Sequence, residues 1–337
     1  MKIRVGLVGL GDQWQARHRP ALKSLQDRFE VRAICCEIAQ KAEKTASEFN
    51  AIALDGFRSM VQRDDIDAVM ALSTDWVGPL PILAACEAGK AVYSSSALDI
   101  APEQVETVRQ RVDASGIAFM AELPRRYAAA TLRLKELIAT KLGRPLMMFC
   151  HERLPTERQT DRLRRGHYCA LTMRNLMELV DWCCYVVDTN PQSVLSSIHT
   201  PATHKGEAFY QMVNLQFPEN NGFPGASAQM SLGHYFPEQW VDALAYRRPP
   251  SLQVFCENGI AFVELPSQLV WFDDAGQHTE SLEADGSVGE QMLRHFYRSI
   301  TSLLRNTSDL ADAYRAMVVA TTATLSAQQD RRIPLTW

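Results

Sequence analysis

Two glycines close the first apolar run of the chain. Ile3-Arg4-Val5-Gly6-Leu7-Val8-Gly9-Leu10-Gly11 leads into Asp12-Gln13-Trp14. An apolar strand that ends in Gly-x-Gly and opens a helix is the phosphate-binding start of a dinucleotide-binding βαβ unit. Gly9 permits the tight turn and Gly11 lets the backbone approach a pyrophosphate. The helix start then offers that anion unpaired N–H groups and a positive partial charge. The pattern departs from its own logic one turn later. Trp14 stands where a third glycine lets helix and strand pack closely. It is expected either to hold the helix off the strand or to cover the opening. Asp12 stands at the helix start, where its carboxylate can cap the helix and repel a phosphate, with Arg17 and His18 offsetting part of that charge. Gly9, Gly11, Asp12, Gln13 and Trp14 are thus the candidate cofactor residues of this turn, for NAD or NADP.

Other clusters could hold an anion or line a pocket. Arg158, Arg162, Arg164, Arg165 and His167 crowd one segment. Guanidinium groups bind carboxylate or phosphate bidentately, so Arg165 and His167 are substrate candidates; a solvated or subunit-contacting loop is the alternative. His151 and Arg153 share one face of a strand by alternation, and His151 joins the candidates. His234-Tyr235-Phe236-Pro237-Glu238-Gln239-Trp240 is an aromatic turn that suits an interface or a substrate wall. No His/Cys/Asp spacing suits zinc, and no Gly-x-Ser-x-Gly elbow or Walker loop is present.

The elements that must position these residues divide the chain in two. At 337 residues, with 46% apolar and 22% charged positions, the composition is that of a globular protein with two cores. A net charge of −4 gives no reason to expect nucleic acid or an anionic membrane. No apolar run approaches the roughly 20 residues of a membrane span. Eight cysteines without a CxxC read as small core residues in a reducing, cytoplasmic compartment. Strands over 2–8, 29–35, 51–54, 66–72, 91–94 and 118–121 alternate with helices over 12–27, 39–49, 57–62, 79–88 and 102–115, which predicts a doubly wound parallel sheet over 1–124. Pro20 marks a break or restart in the first helix. Over 125–337 the order changes to α+β, with helices 128–142 and 169–187, a strand at 146–150, and runs at 193–199, 209–217, 226–232, 252–256 and 260–264 that predict a mostly antiparallel sheet. Helices at 287–304 and 308–328 close the chain.

Val8-Gly9-Leu10-Gly11, Ile66-Asp67-Ala68-Val69, Ala85-Cys86-Glu87-Ala88-Gly89-Lys90, Val92 and the pair Asp181-Trp182 fall in an order and spacing that resembles the Gfo/Idh/MocA family of NAD(P)-dependent oxidoreductases. The resemblance implies a Rossmann-like domain followed by an α+β domain, a sugar, cyclitol or polyhydroxy acid as substrate, and a homodimer or homotetramer built through the second sheet. It also implies site positions. The ribose-binding acid falls on Cys36, with Glu37 beside it, either as the ribose ligand shifted by one or as a solvated charge. The loop along the nicotinamide falls on Thr74-Asp75-Trp76, where Trp76 either stacks on a ring or packs. The family's Glu-Lys-Pro falls on Ser95-Ser96-Ala97, so a hydroxyl stands where a lysine otherwise supports a developing alkoxide. The family's Asp and His on the long helix fall on Arg174 and Glu178, with Asp181 one turn on. Arg126 falls where a substrate-contacting arginine is placed, ahead of Arg125.

Two functions follow. One is an oxidoreductase with Glu178 or Asp181 as acid/base and Arg174 in place of the lysine. Arg174 and Glu178, four apart on one helical face, also fit a plain ion pair. The other is a non-catalytic descendant that senses a ligand or nucleotide, or serves as a partner subunit.

Overall fold

The computed structural model describes residues 2–73, 76–95, 100, 102–155, 171–200, 209–219, 222, 224–236, 240–283, 285–302 and 308–337. In chain order the helices are α1 (Arg19–Ser24), α2 (Ala39–Phe49), α3 (Phe57–Val61), α4 (Leu80–Glu87), α5 (Pro102–Ser115), α6 (Ala129–Leu137), α7 (Leu171–Val187), α8 (Val241–Ala245), α9 (Val288–Thr301) and α10 (Ser308–Gln329). Two compact units divide the described residues. The first holds 2–124 and 285–314, the second 125–155, 171–283 and 315–337.

In the first unit, β1 (Ile3–Val8), β2 (Phe29–Cys35), β3 (Ile52–Ala53), β4 (Ala68–Ala71), β5 (Ala91–Ser94) and β6 (Phe119–Ala121) form a parallel sheet in the order β3-β2-β1-β4-β5-β6. The central strands β1, β4, β5 and β6 are largely apolar, as a sheet buried on both faces requires; Val5, Leu7, Val69 and Val92 are sealed from solvent. The order reverses between β1 and β4, the crevice where open α/β sheets bind ligands. α9 returns to this unit. Phe296 stacks on Phe29 and meets Tyr93 edge-on at 5.5 Å, and the Ser287 hydroxyl caps the helix by accepting from Glu290 N–H.

The helix expected over 12–27 is two pieces. Trp14–His18 is a π-turn, with His18 N–H donating to Gln13 O at 3.2 Å, and α1 then starts afresh with Pro20 in its first turn. Proline has no N–H to give a preceding turn and sits without cost at a helix start.

In the second unit, β7 (Pro145–Pro155), β8 (Ser193–His199), β9 (Phe209–Gln216), β10 (Ser227–Phe236), β11 (Leu252–Cys256), β12 (Gly259–Glu264), β13 (Gln268–Asp273), β14 (Gly276–Ser281) and β15 (Ile333–Pro334) make a nine-stranded sheet in the order β14-β13-β12-β11-β7-β10-β9-β8-β15. The β7–β10 pair is parallel and every other pair antiparallel. The sequence reading stopped at Glu264 and lacked β13 and β14. The edge strand β14, Gly-Gln-His-Thr-Glu-Ser, has no apolar alternation to announce it. One face of the sheet buries Met148, Cys150, Met230, Val254 and Val263. The other carries Met147, Phe149, Met212, Phe255 and Phe262, all partly exposed.

Candidate functional site

Gly9 adopts φ +74° and donates its N–H to Cys35 O at 2.8 Å, which turns the chain over the end of β2. A Cβ on Gly9 would lie 2.2 Å from Ser73 O, and one on Gly11 2.4 Å from Leu72 O. The turn therefore lies directly on the chain leaving β4, and side chains there would push the two apart. Trp14 does not line the groove beside this turn. It is 5% exposed, its ring 5.9 Å from that of Phe49. Asp12 stands just before the cap position of the helical turn. That position is Gln13, and its side chain makes no capping bond. Asp12 is exposed.

Beside this turn is a small open groove of about 60 Å³, walled by Gly9, Cys36, Glu37, Lys41, Ser73 and Trp76 among others. Cys36 donates its thiol to Ile38 O, which leaves Glu37 exposed as the carboxylate of this wall. The Trp76 indole N–H is buried and has no hydrogen-bond partner among the described residues. A side-chain-free turn for phosphates, a carboxylate for hydroxyls and an unspent donor fit the adenosine half of a dinucleotide. Thr74 and Ser96 lie outside the described residues.

A second polar centre in the same unit escaped the sequence reading. Glu122, just past β6, is 1% exposed. It accepts from Arg17 at 2.5 Å, lies 3.2 Å from His18 Nε2, and bonds the Ser95 hydroxyl. Burial by itself pushes its carboxyl up. The bonds and charges of His18 and Arg17, with Ser95, outweigh burial and hold it at about 2. Ser95, a candidate cofactor ligand, is itself buried and bonded into this centre. The only sequence signal was a carboxylate closing the apolar run Phe119-Met120-Ala121.

In the second unit, a 3-10 turn (Pro124–Tyr127) places two adjacent arginines on different partners. Arg126 grips Asp181 with two hydrogen bonds, Nε at 2.7 Å, and lies over the Tyr185 ring. Arg315 stands 3.9 Å from the same carboxylate. Asp181 is 1% exposed. The substrate role expected of Arg126 and the acid/base role expected of Asp181 meet this arrangement poorly, since each charge is committed to the other. Arg125, ranked behind Arg126 from sequence, instead bridges Glu152 at 2.5 Å and Glu178 at 3.4 Å, with its guanidinium over Trp182. These two carboxylates are partly open to solvent. Arg174 lies one turn before Glu178 on α7, half-buried. His151 does not join them. Strand alternation turns it to the opposite face of the sheet from Glu152, where Nδ1 lies 2.7 Å from Ser231 Oγ and burial, with Arg153, lowers its pKa. Arg165 and His167 lie outside the described residues. The structure thus gathers Arg125, Glu152 and Glu178, and it seals Arg126 with Asp181.

The model of the oxidoreductase family with an NAD-binding Rossmann fold, GFO_IDH_MocA, matches residues 3–125. Over these residues the chain is similar to the Gfo/Idh/MocA family. Among curated relatives, inositol 2-dehydrogenase 3 of Saccharopolyspora erythraea is 31% identical over 166 residues, 48% of each chain. An inositol 2-dehydrogenase/D-chiro-inositol 3-dehydrogenase of Halalkalibacterium halodurans is 28% identical over 162 residues, 46% of this chain and 45% of that one. The match spans about half the length of these relatives. Among solved structures, a levoglucosan dehydrogenase in complex with NADH and levoglucosan covers all of both chains at 17% identity with a TM-score of 0.84. Aldose-aldose oxidoreductase from Caulobacter crescentus, complexed with glycerol, covers 99% of this chain and 100% of its own at 14% identity and a TM-score of 0.85. At such identities the likeness is one of fold, and it extends the two-part architecture beyond residue 125. No helix among the described residues is long and apolar enough to cross a membrane.

Proposed function

We propose that this chain is an NAD(P)-dependent oxidoreductase that acts on a sugar, cyclitol or related polyhydroxy compound. The observation that carries the reading is the glycine turn laid on the β4 loop beside a groove with an unspent indole donor and a carboxylate. The inositol dehydrogenases among its relatives and the NADH-bound levoglucosan dehydrogenase of like fold support the substrate class.

When bound, the nicotinamide supplies the hydride acceptor. Glu178 takes the substrate hydroxyl proton, with the Arg125 guanidinium 3.4 Å away. Glu152 accepts from neighbouring hydroxyls. Arg174 contributes positive charge toward a developing alkoxide in place of the lysine. Asp181 holds Arg126 and is a positioning residue. The test is NADH formation from NAD with a panel of polyols and aldoses, comparing wild type with Glu178→Gln. Polyol-dependent turnover lost in the variant supports the reading.

A second reading, a non-catalytic ligand-binding descendant, is favoured by the sealing of Asp181 and Ser95 into buried pairs. It predicts dinucleotide binding with no turnover on any polyol. The partly exposed apolar sheet face, with Met147, Met212 and Phe255, supports a homodimer or homotetramer through the second sheet under either reading.

A further inference from the structure

Glu122 carries a charge into a place where apolar packing would serve stability as well. It is 1% exposed, just past β6. Arg17 and His18 reach it from the π-turn, and Ser95 from just past β5. A buried ion cluster rarely stabilises more than apolar side chains of the same volume, and its best-attested use is to fix one arrangement among several. The arrangement at stake is the π-turn Trp14–His18. Turns of that width are rare and collect at functional sites. The π-turn spends one residue more than an α-turn, so relaxing it would rotate the residues beyond it by about 100° around the helix axis.

The turn is held from two sides. On the inner side His18 is 1% exposed, its Nε2 faces the Glu122 carboxylate, and its ring meets Tyr93 edge-on at 6.2 Å. His18 Nδ1 is buried with no partner among the described residues, so the polar edge of this ring is directed to Glu122. On the outer side α9 lies on the same turn, where a Cβ on Gly289 would stand 2.9 Å from Arg17 O. The turn follows Gly9-Leu10-Gly11 within three residues. What fixes Arg17 and His18 therefore fixes the path of the chain out of the glycine turn. Neither Glu122 nor His18 lines the groove, so their influence on a ligand there is carried by the backbone.

We propose that Glu122 is a positioning residue for the dinucleotide site: by holding Arg17 and His18 it fixes the π-turn and, through it, the backbone of Gly9-Leu10-Gly11 on which the cofactor rests. This rests on the dinucleotide-binding reading above, and Glu122 itself touches no cofactor atom.

The test is titration of wild type, Glu122→Gln, His18→Leu, His18→Gln and Ile66→Ala with NADH, followed by nicotinamide fluorescence at a temperature where circular dichroism shows each protein folded. His18→Gln keeps a side-chain N–H for the carboxylate, whereas His18→Leu keeps only the bulk. Ile66 is sealed in the core ahead of β4, at the opposite edge of the sheet from the glycine turn, and its truncation costs stability without touching the turn. Glu122→Gln and His18→Leu are expected to bind NADH about tenfold more weakly, while His18→Gln and Ile66→Ala stay within about threefold of wild type. Should Glu122→Gln not fold, the two His18 variants decide alone. Wild-type affinity in Glu122→Gln and His18→Leu overturns the proposal and leaves the dinucleotide reading intact. So does an equal loss in Ile66→Ala, because general loosening would then account for the effect. A loss in His18→Gln as large as in His18→Leu also overturns it, because the bond to Glu122 would not be what matters. Failure of wild type to bind NADH overturns the dinucleotide reading, and the proposal with it.

Discussion

Replacing Glu122 by Gln removes one buried charge and little volume. The carboxylate is 1% exposed and bonds Arg17, His18 and Ser95, so it ties the π-turn after Gly9-x-Gly11 to the ends of β5 and β6. Its pKa gives the scale. A carboxyl with an ordinary value of 4.5 that the fold holds at about 2 gains about 3 kcal/mol at neutral pH, at about 1.4 kcal/mol for each tenfold change in the equilibrium. Because the folded value is depressed, the gain is fully present above the unfolded pKa near 4.5 and disappears as pH falls from there toward 2. Glu122→Gln is therefore expected to lose about 3 kcal/mol at pH 7. For a unit of this size that lowers the melting temperature by on the order of 10 °C. The gap between variant and wild type should narrow below pH 4.5 and close as pH approaches 2. Thermal and urea melts across pH 2.5–7 read both quantities. A loss under about 1 kcal/mol, or a gap of constant size across that range, would refute the claim that buried ion pairing at Glu122 holds the turn in place.

Other outcomes follow from the same structure. Glu178→Gln should lower kcat by about 10²–10⁴-fold with the protein folded and NADH still bound, as removal of a general base does; unchanged turnover excludes that role. Asp181→Asn should destabilise the protein by about 3–5 kcal/mol by stranding Arg126 in a buried site, read as a melting shift, whereas a purely catalytic Asp181 would leave the melt unchanged. Gly9→Ala should weaken NADH binding by at least tenfold and lower the melting temperature, because φ is positive there and Cβ would meet Ser73 O. Phe255→Lys on the open sheet face should shift the sedimentation coefficient toward a monomer while circular dichroism is retained, and an unchanged assembly would place the interface elsewhere.

The fold was legible where one physical signal governed. Strands β1, β4, β5 and β6 are largely buried, so they read as apolar runs bounded by turns; β2 alternates at its start, with Glu30 and Arg32 partly exposed, and was found at its full extent, residues 29–35. The polar edge strand β14 was not legible, because it carries no apolar side chain to mark its alternation. The first-turn residues were found, but Trp14 was assigned to the ligand by its position in a pattern, when size and apolarity send it to Phe49. Sequence order could not reveal that Glu122 meets Arg17, 105 positions away. Nor could it tell which of two adjacent arginines turns toward Asp181, since that choice is made by the 3-10 turn at Pro124–Tyr127. Pairing of buried charges over such distances is a property of packing, and each residue alone looks like an ordinary polar position.

The central claim is that the glycine turn and its groove bind a nicotinamide dinucleotide. Titrating the purified protein with NADH and NADPH, by intrinsic tryptophan quenching and nicotinamide emission, tests it most directly. Saturable binding in the micromolar range is predicted. No binding up to millimolar concentration of either nucleotide would contradict the account and leave a Rossmann-like scaffold with another ligand or a protein partner.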